Sequence, residues 1–195
     1  MENEGTRPGV KIAYFDDIHL ELENIIATNS NITCTFNRNT PPEFFSLVGQ
    51  RAPDSLGVKG FRTGIPSWMV SGIDSNCSIT VPSAFNTVTR DIIHAGAQVA
   101  NFERMQRHFY TLGACVCGLL SSTMEARAIA SAMLVAFTQR IGWLLRRCVD
   151  TIGKPTQMDV TERRLFRIGQ HAEHDILTWW RGEEERSNRK RPHFL

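Results

Sequence analysis

Apolar residues Ile18, Leu22, Ile25 and Ile26 recur at helical spacing behind Asp16 and Asp17, either of which can serve as an N-cap. A first helix is therefore expected over about 16–28, ending at the polar run Thr28-Asn29-Ser30-Asn31. The pattern then breaks up. Six prolines and glycines fall between Pro53 and Gly72, Ile32 to Phe36 reads as a short strand, and Pro42 to Val48 as a helical turn or two. After Pro82 helical periodicity takes over: Ser83 is a plausible N-cap, and Ile92, Ile93, Val99, Phe102, Phe109, Leu112, Val116 and Leu119 follow with no proline before Pro155. This is one long helix, or two divided near Gly113. A fresh start at Ser122-Thr123-Met124-Glu125 has the S-x-x-E form of a capping box and opens a helix of about 123–152, which stops at Gly153-Lys154-Pro155. Another begins at Thr156 or Thr161 and runs to about Arg186, leaving the polar, basic tail SNRKRPHFL.

These elements predict a mainly α fold, a compact helical bundle with long C-terminal helices and an irregular N-terminal segment, about 31–81, with room for a short strand pair. Residues 1–186 are expected to form a single helical domain, in which 1–81 is the less regular part and 82–186 the helical core, followed by the tail 187–195. Gly113, Ala114, Gly118, Ala128, Ala130, Ala132, Ala136 and Gly142 are small enough to let helix axes approach closely in an antiparallel pair. Leu112 to Leu120 and Ala126 to Phe137 are nearly charge-free, but each run is shorter than the roughly 18 apolar residues a bilayer requires. Both read as buried helices, and no transmembrane helix is expected.

Composition bounds the function without naming it. The 195 residues are 42% hydrophobic and 22% charged with a net charge of +2, values typical of one globular domain. Residues 1–60 carry five Lys/Arg against eight Asp/Glu and the remainder seventeen against twelve, so the front is acidic (−3) and the rest basic (+5). Five cysteines, an odd number spread through apolar segments, read as reduced thiols, and the start MENEGTRPGVK is not a secretory leader. An intracellular, unsecreted chain is expected.

The richest chemistry lies in TERRLFRIGQHAEHDILTWW. At 100° per residue Arg163, Arg167, His171 and His174 share an arc of about 80°, while Leu165, Ile168, Ala172, Ile176 and Trp179 fall on the opposite side, as if to be buried. With Arg164 these residues offer guanidinium forks and imidazoles to an anion, although an ordinary solvated face has the same pattern. Arg104, Arg107 and His108 form a second basic cluster, Arg146 and Arg147 a third, and Arg189, Lys190 and Arg191 a basic arm in the tail. Cys115-x-Cys117 on a helix points its thiols about 200° apart, and His171 and His174 are too closely spaced for the usual zinc pattern. There is no G-x-S-x-G, phosphate loop, G-x-G-x-x-G or H-E-x-x-H. Neither a metal, a cofactor nor an enzymatic activity is expected.

The stretch GACVCGLLSSTMEARAIASAMLVAFTQRIG, residues 113–142, resembles the paired small-residue helices of orthomyxovirus-type matrix proteins. The Cys/His arrangement of some members is not reproduced, and 31–81 has no matching counterpart. That resemblance implies a viral structural protein that self-associates as a homo-oligomer, contacts an anionic membrane and tethers viral RNA or ribonucleoprotein. Its contacts would be Arg163, Arg164, Arg167, Arg104 and Arg107, and its setting the host cytoplasm or nucleus and the virion. The alternative is a viral accessory or regulatory adaptor that binds a host protein through the segment 44–69.

Overall fold

The computed structural model describes residues 22–37, 40–47, 49, 61–73, 77–120, 122–150 and 156–189. Helix α1 spans Leu22–Thr28, so the expected beginning of the first helix, 16–21, lies outside the described residues. Strand β1, Asn31–Phe36, follows at once, and its alternation buries Ile32, Cys34 and Phe36. It pairs antiparallel with β2, Arg62–Pro66, on one side and with β3, Cys77–Ile79, on the other, giving the order β2-β1-β3. The irregular segment thus holds three strands. Helix α2, Pro42–Leu47, supplies Phe44 and Phe45, which gather with Phe61 around the Phe36 ring at centroid separations of 5.6, 5.3 and 6.4 Å. A one-turn helix α3, Ser67–Val70, returns the chain to α1 through a 2.7 Å hydrogen bond that Ser67 Oγ donates to the Thr28 carbonyl.

The helical part is mainly α as expected, but the run after Pro82 divides differently. Asn86 caps α4, Thr87–Gly96, by accepting from Thr89 N at 2.8 Å. Asn101 caps the single turn α5, Phe102–Met105, by accepting from Arg104 N at 3.1 Å. Two asparagines that satisfy exposed amides thus open new helices inside a stretch whose apolar spacing is continuous. The break falls between Gly96 and Phe109, not near Gly113, and Asn86 replaces Ser83 as the cap.

Gly113 lies instead in the middle of α6, Phe109–Leu119, where a Cβ would run into Met133 Sδ and stand 2.9 Å from the Phe85 ring. Gly113 is thus a contact between α6 and α7, Thr123–Val149. Ser122 caps α7 as the box predicts, accepting from Glu125 N at 3.3 Å. Gly153-Lys154-Pro155 lies outside the described residues. Ile129, Ala132, Ala136, Arg140, Leu144 and Cys148 form the buried face of α7. Of the small residues expected at helix contacts, Gly113, Ala132 and Ala136 are buried, while Ala114, Gly118, Ala128, Ala130 and Gly142 are exposed. Helix α8, Val160–Arg189, crosses α7 where Gly169 meets Cys148; a Cβ there would lie 2.6 Å from Cys148 Sγ. It extends three residues past the expected end at Arg186.

Candidate interaction surfaces

The orientation of α8 is set by one buried ion pair. Arg140, in the middle of apolar α7, donates through Nε and Nη2 to the two carboxylate oxygens of Glu162 at 2.7 and 2.8 Å. Its remaining hydrogens reach the carbonyls of Ala97, Ala100 and Gln157, each at 2.9 Å. All five guanidinium donors are thereby satisfied, the condition under which a buried arginine is tolerated. The Phe102 ring lies 4.4 Å from its Cζ and the Trp143 ring 4.9 Å, adding cation-π attraction. Tyr110 Oη donates to Glu162 Oε1 at 3.1 Å, and Asp159 caps α8 by accepting from Glu162 N at 2.7 Å. Burial, with the Glu162 charge acting in the same direction, raises Asp159 to about 6 against the hydrogen bonds it accepts. Burial likewise raises the Tyr110 phenol. Arg140, the one charged residue between Arg127 and Arg146, was the sequence signal for this arrangement.

This anchor turns α8 away from the orientation its apolar stripe predicts. Glu162 and Phe166 are buried and Gly169 meets Cys148, so the helix packs through a line roughly 100° around from the centre of that stripe. Leu165 is half-buried, but Ile168, Ala172, Ile176 and Trp179 are exposed, contrary to expectation. The exposure reaches 61% for Ile176, 65% for Trp179 and 60% for Trp180, and every residue from His174 to Arg181 is exposed.

The basic residues separate. Arg163 is mostly buried, with Nη2 2.7 Å from Glu103 Oε1 and Nε donating to the Met158 carbonyl at 3.2 Å. Arg164, Arg167, His171, His174, Arg104 and Arg107 are exposed. Arg163, Arg164, Arg167 and Arg107, distant in sequence, meet around a groove of about 480 Å³ whose wall includes Leu22, Glu23 and Val160. Arg104 is not part of that lining. His108, counted with the second basic cluster, is buried 4.0 Å from Glu23, and burial lowers its pKa despite that carboxylate, with Arg107 and Arg163 acting in the same direction as burial. It adds no charge to the patch at neutral pH. Arg189 closes α8, while Lys190 and Arg191 lie outside the described residues.

The outer face of α7 carries a second apolar stripe. Met124, Leu134, Leu145 and Val149 are exposed, and only 28% of the residues in the most apolar eighteen-residue stretch of α7 are buried. By length and composition alone this helix could cross a bilayer, a point that counting charge-free runs missed. Its packing on α4, α6 and α8 and the paired charge of Arg140 make it the central helix of this fold.

No family model matches the chain. It is, however, similar over most of its length to curated proteins named DNA replication complex GINS protein PSF3. That of Xenopus laevis is 26% identical over 173 residues, 84% of this chain and 80% of the relative. That of Mus musculus is 26% identical over 176 residues, 84% and 81% of the two chains, and that of Schizosaccharomyces pombe 22% over 172 residues, 83% and 96%.

These similarities overturn the matrix resemblance. The matched residues 113–142 were mostly alanine, glycine and aliphatics, a composition shared by closely packed helices of any origin, whereas the replication proteins match the irregular segment and the helical core together. The viral structural and adaptor readings fall with it, as do homo-oligomerisation, viral RNA or ribonucleoprotein and an anionic membrane as partners. Within 44–69, moreover, Phe45 is buried and Phe44 half-buried in the aromatic cluster, so neither is a recognition residue. A DNA replication complex works inside the cell, in agreement with an intracellular, unsecreted chain; the virion has no support.

Proposed function

We propose that this chain is a non-catalytic subunit of a hetero-oligomeric DNA replication complex of the GINS kind, and that the outer faces of α7 and α8 are its contacts with the other subunits. The observation that carries this reading is the uncovered apolar surface on the two longest helices: Leu134, Leu145 and Val149 on α7, and Ile168, Ile176, Trp179 and Trp180 on α8. Soluble monomers rarely expose large contiguous apolar patches, and aromatic anchors are typical of the desolvated centre of an interface. The similarity to PSF3 proteins supplies the kind of assembly.

The test is co-expression of the tagged chain with the other GINS subunits of its own organism, followed by affinity capture and native mass determination. A stoichiometric hetero-complex is expected. Leu145→Glu with Trp179→Glu, both at exposed positions, is expected to abolish capture while the far-ultraviolet circular dichroism of the isolated chain is unchanged. Retention of the complex by this double variant, or absence of a complex from the unaltered chain, rejects the reading.

A further inference from the structure

We propose that the groove between α1 and the beginning of α8 binds an acidic peptide segment of a partner protein, with carboxylates on Arg107, Arg164 and Arg167 and an apolar side chain against Leu22 and Val160. The site is separate from the apolar stripes of α7 and α8 and does not depend on the subunit reading.

Three features define the ligand. The first is positive charge brought together by folding: Arg107 precedes α6, Arg164 and Arg167 lie one turn apart on α8, and all three line the same groove of about 480 Å³ with exposed side chains. Guanidinium groups fork onto carboxylates or phosphates, which makes the ligand an anion. The second is the apolar wall. Leu22 is 69% exposed beside the groove, and Val160 is half-buried at the start of α8. A ligand that covers them must carry a hydrocarbon surface as well as charge. The third is the limit on that charge. Glu23 stands in the lining, Arg163 is already paired with Glu103 at 2.7 Å, and Arg164 has an interaction of its own within the chain, so a ligand carboxylate adds to or exchanges with it.

These features favour a peptide over a nucleic acid. A phosphodiester chain carries a charge at every residue and cannot avoid Glu23, and contacts to three arginines release few counterions. A peptide places its carboxylates two or three residues apart and can set an apolar side chain between them. The rigid base needed for selective binding is supplied by the anchored end of α8, where Asp159 and Glu162 fix the first turn.

The experiment measures fluorescence anisotropy of the full chain with three labelled probes at 50 and 200 mM salt. The first is a nine-residue peptide in which Asp and Glu alternate with Leu and Phe, the second the same peptide with Asn and Gln in place of the acids, and the third a twenty-nucleotide oligothymidylate. The acidic peptide is expected to bind at least tenfold more tightly than the amide peptide and to weaken severalfold at the higher salt. Arg164→Glu with Arg167→Glu is expected to reduce its binding at least tenfold with unchanged circular dichroism, and Leu22→Ser to reduce it about threefold. Tighter binding of the oligothymidylate, equal binding of the two peptides, or an acidic peptide indifferent to the arginine replacements overturns the proposal. The isolated chain suffices for this measurement, so failure of complex formation and failure of the groove are read separately.

Discussion

Arg140 carries more of the fold than any other polar side chain described, because it closes the gap between α7, the turn at Ala97 to Ala100, and the entry to α8. Removing it leaves the Glu162 carboxylate buried without its cation, and three carbonyls each lose one donor. Arg140→Met is therefore expected to cost about 3–5 kcal/mol in urea unfolding, the magnitude for breaking a buried pair. Adding Glu162→Leu is expected to restore only part of this, since the Ala100 carbonyl still lacks the Arg140 donor and those of Ala97 and Gln157 keep only the amides of Ala100 and Phe102.

Asp159 makes a different prediction. Its folded pKa of about 6 lies above the ordinary 3.8, so between those values the folded state holds a proton that the unfolded chain has released. The stability associated with this group is fully present below about pH 4 and is lost as pH rises through 6, by roughly 2–3 kcal/mol. Asp159→Asn keeps a cap oxygen but not the titration. The stability of the unaltered protein relative to this variant is expected to decline from pH 4 to pH 7 in urea titrations; a difference that stays constant contradicts the assignment.

Among the elements, the two crossings of α7 depend on glycine for a steric reason. Gly113 has no room for a Cβ because Met133 Sδ and the Phe85 ring occupy it, and Gly169 is closed by Cys148 Sγ. Gly113→Ala is expected to destabilise by about 1–3 kcal/mol, the usual cost of overpacking. Gly118→Ala, with no atom within 4 Å of the new carbon, is expected to be neutral or slightly stabilising. Thermal unfolding of the two variants separates the effects.

The same elements mark how far the sequence can be read. Periodicity and capping placed α7 and α8 because these helices are long and their signals are local: Ser122 with Glu125, and continuous 3.6-residue spacing. The breaks at Asn86 and Asn101 were legible as capping residues but were hidden by the apolar residues around them. Which face of α8 turns inward was not legible at all. It depends on Glu162 meeting Arg140 twenty-two positions earlier, and a charged residue at the centre of a helix contact inverts the assumption that the apolar stripe seeks the core. For the same reason the convergence of Arg107 with Arg164 and Arg167 was visible only as separate clusters.

At the scale of the whole molecule, the small sheet and the helices around α7 form adjoining cores, the first built on Phe36 and Ile65 and the second on Phe85, Phe102 and Phe109. Both are densely aromatic, with Phe102 and Phe109 stacked at 4.3 Å. The excess of apolar surface therefore does not reflect a poorly formed interior. It is concentrated on helices that are already anchored, which is the arrangement expected when one subunit supplies part of a core that its partners complete.

The second half of α8 shows what that arrangement entails. Clamped at Glu162 and Phe166, the helix continues past Gly169, and every residue of the stretch His174–Arg181, roughly 12 Å of helix, is exposed. An isolated helix of this length is marginal in water without tertiary packing. In the lone chain, amide protons between His174 and Arg181 are expected to exchange orders of magnitude faster than those around Phe166, and to slow sharply once partner helices close around them. On the proposed subunit role, association would then complete the folding of this chain, and hydrogen exchange would record that step residue by residue.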